Sequence, residues 1–130
     1  MLLIDPITCL AAAIYFESRS EIPHHQTMVA DVIMNRVASK RYPNDVCGVI
    51  KDYKQFSFLW DGTKLDVPDD ENPSWNTAMD ISWGILNKKR LQTTLACNYA
   101  RDYIDNKWTK TFKDHETEQH GLHVFYSGGC

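Results

Sequence analysis

The stretch Asp5-Pro6-Ile7-Thr8-Cys9-Leu10-Ala11-Ala12-Ala13-Ile14-Tyr15-Phe16-Glu17-Ser18-Arg19-Ser20-Glu21 decides how the chain is read. Asp5-Pro6 is a helix start: an acceptor side chain for the free N–H groups of the first turn, then a ring already fixed at a helical φ. Ile7, Leu10, Ala11 and Ile14 recur at helical spacing, and the alanines favour helix, so a buried helix reaching about Arg19 is predicted. Glu17 follows Ile14 by three residues and Glu21 follows Glu17 by four, which places both carboxylates near the apolar stripe. A carboxylate on a core-facing stripe is costly unless paired or protonated. Burial raises its pKa, which is how a carboxylic acid is made to hold its proton near neutral pH. From spacing alone, an internal ion pair with Arg19 or Arg36, or a solvated helix end, accounts for Glu17 at least as well as catalysis does.

Outward from this helix, Ile22-Pro23 interrupts the chain, and a second helix carries Val29, Val32, Ile33 and Val37 on one face, with Asp31, Asn35 and Lys40 largely off it. Tyr42-Pro43-Asn44 breaks the chain again, with Asn44 available to cap a short turn through Val46 to Ile50. Asp61-Gly62 is a turn dipeptide, and Lys64 to Asn72 is the most loop-like stretch. Asn72-Pro73 repeats the cap-and-proline signal before a helix bearing Ala78, Ile81, Ser82, Ile85 and Leu86. Thr93 to Ala100 and Leu122 to Tyr126 are β-prone. The expected class is α+β, mostly α, with a few short strands, in a single domain covering residues 1–130.

Composition narrows the field. The chain has 130 residues, 43% of them hydrophobic, which is enough for one real core and excludes a disordered or collagen-like polymer. The longest largely apolar run, Cys9 to Phe16, falls far short of the roughly 20 residues a membrane span needs. No signal peptide is read at the N-terminus: Met1 to Ile4 carries no basic residue and charge follows soon after. A net charge of −3 with dispersed basic residues argues against nucleic acid. Lys88-Lys89-Arg90 reads as the solvated end of a helix. Cys9, Cys47, Cys97 and Cys130 form no Cys-x-x-Cys pair, so no zinc knuckle is expected, and two disulfides or four thiols are equally open. His24-His25 and His115, His120 and His123 contain no His-Glu-x-x-His, so neither a metal nor a cofactor is expected. Cys9 lies in a first helical turn, where a thiol is acidified. A cysteine peptidase or amidase is therefore the main different chemistry, although nothing around Cys9 resembles a nucleophile motif.

A resemblance shifts the weight towards catalysis. Ala13-Ile14-Tyr15-Phe16-Glu17-Ser18-Arg19-Ser20-Glu21 resembles the A-x-Y-x-E-A-R-G-E signature of the SleB/CwlJ cell-wall hydrolases, a family of spore-cortex-lytic enzymes and related phage lysins. Val29 to Val37 is similar to its V-A-x-V-x-x-N-R-V helix, and Tyr42 to Ile50 to its F-P-x-T-V-x-G-V-I segment. Gln55-Phe56-Ser57 resembles its Q-F-S block, Asn98-Tyr99-Ala100 its H/N-Y-A block, and Gly121 to Tyr126 its G-x-H-x-F block.

The resemblance implies a lysozyme-like domain that cleaves the β-1,4 bond between N-acetylmuramic acid and N-acetylglucosamine in peptidoglycan. The expected outcome is that of a lytic transglycosylase, with a hydrolytic muramidase as the alternative. It assigns the catalytic acid to Glu17. Glu21 is expected to tune Glu17 or order a water, or else to form a structural ion pair, for instance with Arg36. Gln55 and Ser57 are expected to contact sugar, Tyr99 and Tyr126 to line the groove, and Asn98 to join them less strongly. His123 is expected in a hydrogen-bonded structural or groove role. The implied partner is a peptidoglycan glycan strand, met by a monomer made in the cytoplasm and, if phage-encoded, released to the wall by a holin. Two positions depart from the signature: Ser18 stands for Ala and Ser20 for Gly. If that Gly serves a positive φ at the helix end, Ser is less comfortable there. The substitutions keep open a non-catalytic glycan-binding module.

Overall fold

Side-chain caps and prolines set the helix starts. The computed structural model describes residues 5–52, 68–102, 109, 117–127 and 130. Helix α1 runs Pro6–Ser18, and Asp5 caps it, accepting hydrogen bonds from the Thr8 N–H at 2.9 Å and from the Thr8 hydroxyl. Helix α2 spans Pro23–Ala38, α3 spans Val46–Asp52 and α4 spans Pro73–Leu86. Asn72 caps α4 by accepting from the Trp75 N–H at 3.1 Å. At α3 the capping acceptor is Asp45, which receives the Gly48 N–H at 2.7 Å, one residue beyond the expected Asn44.

Helix α1 has no apolar stripe. Every residue from Thr8 to Tyr15 is buried, because α2, α3 and α4 pack around it. Leu10, Ile14, Ile33, Ile50 and Ile81 are all within 1% of full burial in this core, each worth about 1.5–3 kcal/mol of apolar transfer. The three alanines are what permit neighbours on every side. Cys9 and Cys47 form a disulfide that ties α1 to α3.

Three strands follow: β1 Asn98–Arg101, β2 Thr117–His120 and β3 His123–Tyr126, antiparallel in the order β1-β3-β2. β3 pairs with β1 through Tyr99↔Phe125 and with β2 through Glu118↔Phe125. β2 is a polar edge strand with no apolar alternation, which is why its sequence gave no strand signal. Gly121-Leu122 joins β2 to β3, with Gly121 at φ +58, the backbone geometry that favours glycine in a tight hairpin.

Only the end of the β-prone run Thr93–Ala100 enters the sheet. The earlier part is bound instead by the polar face of α2. Asp31 accepts from the Thr93 N–H at 2.6 Å and from the Thr93 hydroxyl at 2.5 Å. The Asn35 amide donates to the carbonyls of Thr94 and Ala96 at 2.9 and 2.8 Å. Arg36 donates to the Cys97 carbonyl at 2.6 Å and to Asn98 Oδ1 at 3.1 Å. With its backbone groups taken by side chains, the segment has no use for a strand partner. A second apolar cluster lies beneath it, where Met28, Val29 and Val32 of α2 meet Ala96, Phe125 and Tyr99. Helix α2 thus serves two cores, and a disulfide from Cys97 to Cys130 closes the sheet region.

Candidate active site

Glu17 lies in the last turn of α1, where the sheath of neighbouring helices ends. Phe16 is 37% exposed, Ser18 is 1% exposed, and Glu17 between them is half-buried. The turn is held firmly. The Ser18 hydroxyl donates to the Ile14 carbonyl at 2.9 Å, so the serine in place of alanine is satisfied inside the helix. Ser20 does not need a glycine: among the described non-glycine residues only Lys88 has a positive φ. Tyr15 packs edge-on against Phe16 and Trp75, Arg19 lies 4.8 Å over the Tyr15 ring, and the Tyr15 hydroxyl accepts from the Asn72 amide at 3.3 Å. An aromatic and polar collar therefore fixes the backbone that presents Glu17.

Glu21 sits just past this turn and is turned inward, its side chain 6% exposed. Its partner is the β2–β3 hairpin. Oε1 accepts from the Leu122 N–H at 3.0 Å, and Oε2 stands 2.9 Å from His123 Nδ1. The second contact has ion-pair distance but poor direction, so neither atom gains a well-formed hydrogen bond. A Cβ on Gly121 would collide with Glu21 Oε1 and come within 2.6 Å of His25 Nδ1, so this glycine is needed for close approach as well as for its φ. Glu21 thus joins the loop after the Glu17 helix to the hairpin tip. Burial holds the His123 imidazole below its usual range against the opposing pull of Glu21, so it sits here as a neutral ring at neutral pH. Burial also raises the Asp31 carboxyl, an effect the Thr93 hydrogen bonds oppose.

The other expected residues divide. Gln55 and Ser57 lie outside the described residues. Asn98 takes an Arg36 hydrogen bond through its Oδ1. Tyr99 and Tyr126 fall on opposite faces of the sheet, since Tyr99 stands opposite Phe125 while Tyr126 stands opposite Asn98. Tyr99 packs edge-on to His123 at 5.2 Å and over the second apolar cluster, and Tyr126 is 8% exposed. Two hollows of about 230 and 300 Å³ share Thr93 in their walls, one reaching Phe125 and Glu118 and the other His24 and Arg90. Residue patterns do not single out Asp31, Asn35 and Arg36 as the residues that bind the Thr93–Asn98 segment. For Asp31 and Asn35 the available signal is their spacing off the apolar face of α2; Arg36 falls on that face and carries no such signal.

Comparison with known proteins gives a consistent set of likenesses. The profile of a family described as cell wall hydrolase matches residues 20–126, beginning three residues after Glu17. A spore cortex-lytic enzyme of Bacillus cereus is 42% identical over 66 residues, covering 51% of this chain and 26% of that protein. One from Bacillus subtilis is 43% identical over 58 residues, covering 45% and 19%. The chain therefore spans about a quarter or less of the length of these curated relatives. Among solved structures, the catalytic domain of the germination-specific lytic transglycosylase SleB from Bacillus anthracis aligns with a TM-score of 0.71 at 32% identity, covering 93% of each chain. The catalytic domain of Bacillus cereus SleB aligns at 0.68 and 30% identity, covering 93% of this chain and 88% of that one.

Proposed function

The chain belongs to the cell wall hydrolase family, and from that premise we propose that it is a peptidoglycan-cleaving glycosidase acting as a lytic transglycosylase, with Glu17 as its acid and then its base. The observation that carries this reading is the likeness along 93% of the chain to the catalytic domain of a protein described as a lytic transglycosylase. Supporting it, the signature glutamate stands half-buried on a rigid helix end, flanked by exposed Phe16.

In this reading Glu17 gives its proton to the glycosidic oxygen between N-acetylmuramic acid and N-acetylglucosamine, and the C1–O bond breaks. The positive charge left at C1 is quenched by the muramic acid's own C6 hydroxyl oxygen, forming a 1,6-anhydro ring. The hydroxyl proton passes to the Glu17 carboxylate, which restores the acid. One carboxyl group completes the cycle, so Glu21 is free to serve the hairpin. Residues 1–130 act as one catalytic domain. The enzyme works as a monomer on the glycan strand, either as a phage endolysin that reaches the wall through a holin or as a bacterial wall enzyme. Lysis from inside cells with and without a co-expressed holin separates those two sources.

The test is digestion of purified sacculi followed by mass spectrometry of the released muropeptides. Products about 18 Da lighter than their hydrated counterparts are expected, whereas reducing muramic ends would establish a muramidase. Glu17→Gln keeps the shape and removes the proton, and is expected to lower the rate at least ~10²-fold with the circular dichroism spectrum unchanged. Retained activity removes Glu17 from the mechanism. Binding to sacculi without any released fragments, by the unaltered protein, would leave a glycan-binding module instead.

A further inference from the structure

Four histidines meet where the β2–β3 hairpin rests on the start of α2. The rings of His24, His25 and His120 lie with centroids 5.7–6.0 Å apart, and His123 stands against Glu21 just inside them. We propose that this seam is an acid-released latch: neutral imidazoles let the hairpin tip dock on Glu21 and α2, and their protonation loosens it. The lytic reading is not needed for this inference, which stands on the geometry of the seam.

Two carboxylates lie within 4.0 Å of ring nitrogens of the cluster. Glu21 Oε1 is 4.0 Å from His25 Nδ1 and Oε2 is 2.9 Å from His123 Nδ1, while Glu118 is 3.4 Å from His120 Nε2. With the rings neutral the seam holds two negative charges, and with all four protonated it holds a net two positive ones. The change occurs where it is least tolerated. His24 and His25 occupy the first turn of α2, whose free N–H groups already carry the positive end of the helix dipole. The surrounding charges fall in opposing pairs and leave that change uncompensated: Asp31 acts on His24 while Arg90 shares a hollow with it, and Arg101 and Asp102 act on His123 with opposite signs. Among the described residues the docking contacts are few, with the Leu122 N–H to Glu21 as the one directed hydrogen bond and the His123 contact misaligned.

Buried His123 sets the direction of the linkage. Its folded value lies below the ordinary imidazole value of about 6.5, so the docked state binds protons more weakly than the released one. The docked state is therefore favoured in full above that value and loses ground as pH falls through it. Among the described residues no group of three His, Cys, Asp or Glu side chains is disposed to hold a metal ion, so the rings have no common ligand role there that would keep them together.

Hydrogen exchange at the Leu122 amide tests the proposal without reference to activity. In the unaltered protein its protection factor, taken relative to the Ile14 amide in the core, is expected to fall about tenfold or more between about pH 7.5 and about pH 5. In His120→Gln/His123→Gln, which removes the ring that sets the linkage, the fall is expected to shrink to less than about threefold. The single His120→Gln variant, altered only on the partly exposed hairpin strand, is expected to lie between the two. Equal protection at both pH values in the unaltered protein overturns the proposal. So does an undiminished fall in the double variant. Muropeptide release measured on the same samples stays a separate result: its absence would fail the lytic reading and leave the latch standing.

Discussion

Lys88 adopts a conformation its side chain disfavours. It sits at φ +56, just after α4, where its N–H donates to the Ile85 carbonyl at 3.1 Å and the Lys89 N–H donates to the Gly84 carbonyl at 2.7 Å. This pair of bonds is the glycine-type helix stop, made here without glycine. Lys88→Gly is expected to raise stability by about 1 kcal/mol, read as a higher urea midpoint at unchanged m-value. No loss or gain in the midpoint would mean that Lys88 recovers the backbone cost through its side chain. Glu17 illustrates the opposite relation between residue and backbone. Its ordinary helical position costs nothing locally, and its interest comes from standing where the helical sheath runs out. The motif in the sequence marks that residue as the candidate. Its half-burial comes from neighbours far along the chain and was not legible from a stripe that does not exist.

The elements were legible in proportion to how local their causes are. Asp5-Pro6 and Asn72-Pro73 mark helix starts by cap chemistry alone, and both helices begin there. β2 escaped notice because an edge strand of Thr117, Glu118, Gln119 and His120 is specified by its partner β3, not by its own residues. The β-prone run from Thr93 extends beyond the strand because β-propensity does not reveal that a helix will claim its backbone. Asn35 shows how much rests on that claim, since it also accepts from the Gln92 amide at 2.6 Å in addition to its two donated bonds. Asn35→Ala strands two carbonyls and is expected to cost about 2–3 kcal/mol in urea unfolding. It should also shift the near-ultraviolet signal of the adjoining sheet while leaving the far-ultraviolet helix signal in place. A cost below about 0.5 kcal/mol would show that water replaces the amide without loss.

Across the fold, two covalent loops add to the packing. Cys9–Cys47 joins residues 38 apart in sequence and Cys97–Cys130 joins residues 33 apart, and closing loops of such size is worth about 4 kcal/mol each in chain entropy. Replacing Cys97 and Cys130 together by Ala is expected to lower the melting temperature by about 15 °C for a chain of this length, measured by calorimetry under non-reducing conditions. A change within about 2 °C would show that the sheet region is held by its hydrogen bonds alone. Such bridges persist in oxidising surroundings, the condition met outside the cytoplasm. The Cys97–Cys130 bond also has a topological effect. All three strands lie between its two cysteines, so the sheet is threaded on a closed ring of chain. A protease that nicks this ring once opens it without releasing a fragment. The severed halves stay tethered through sulfur, so a single cut would leave the molecule in one piece until a reductant arrives.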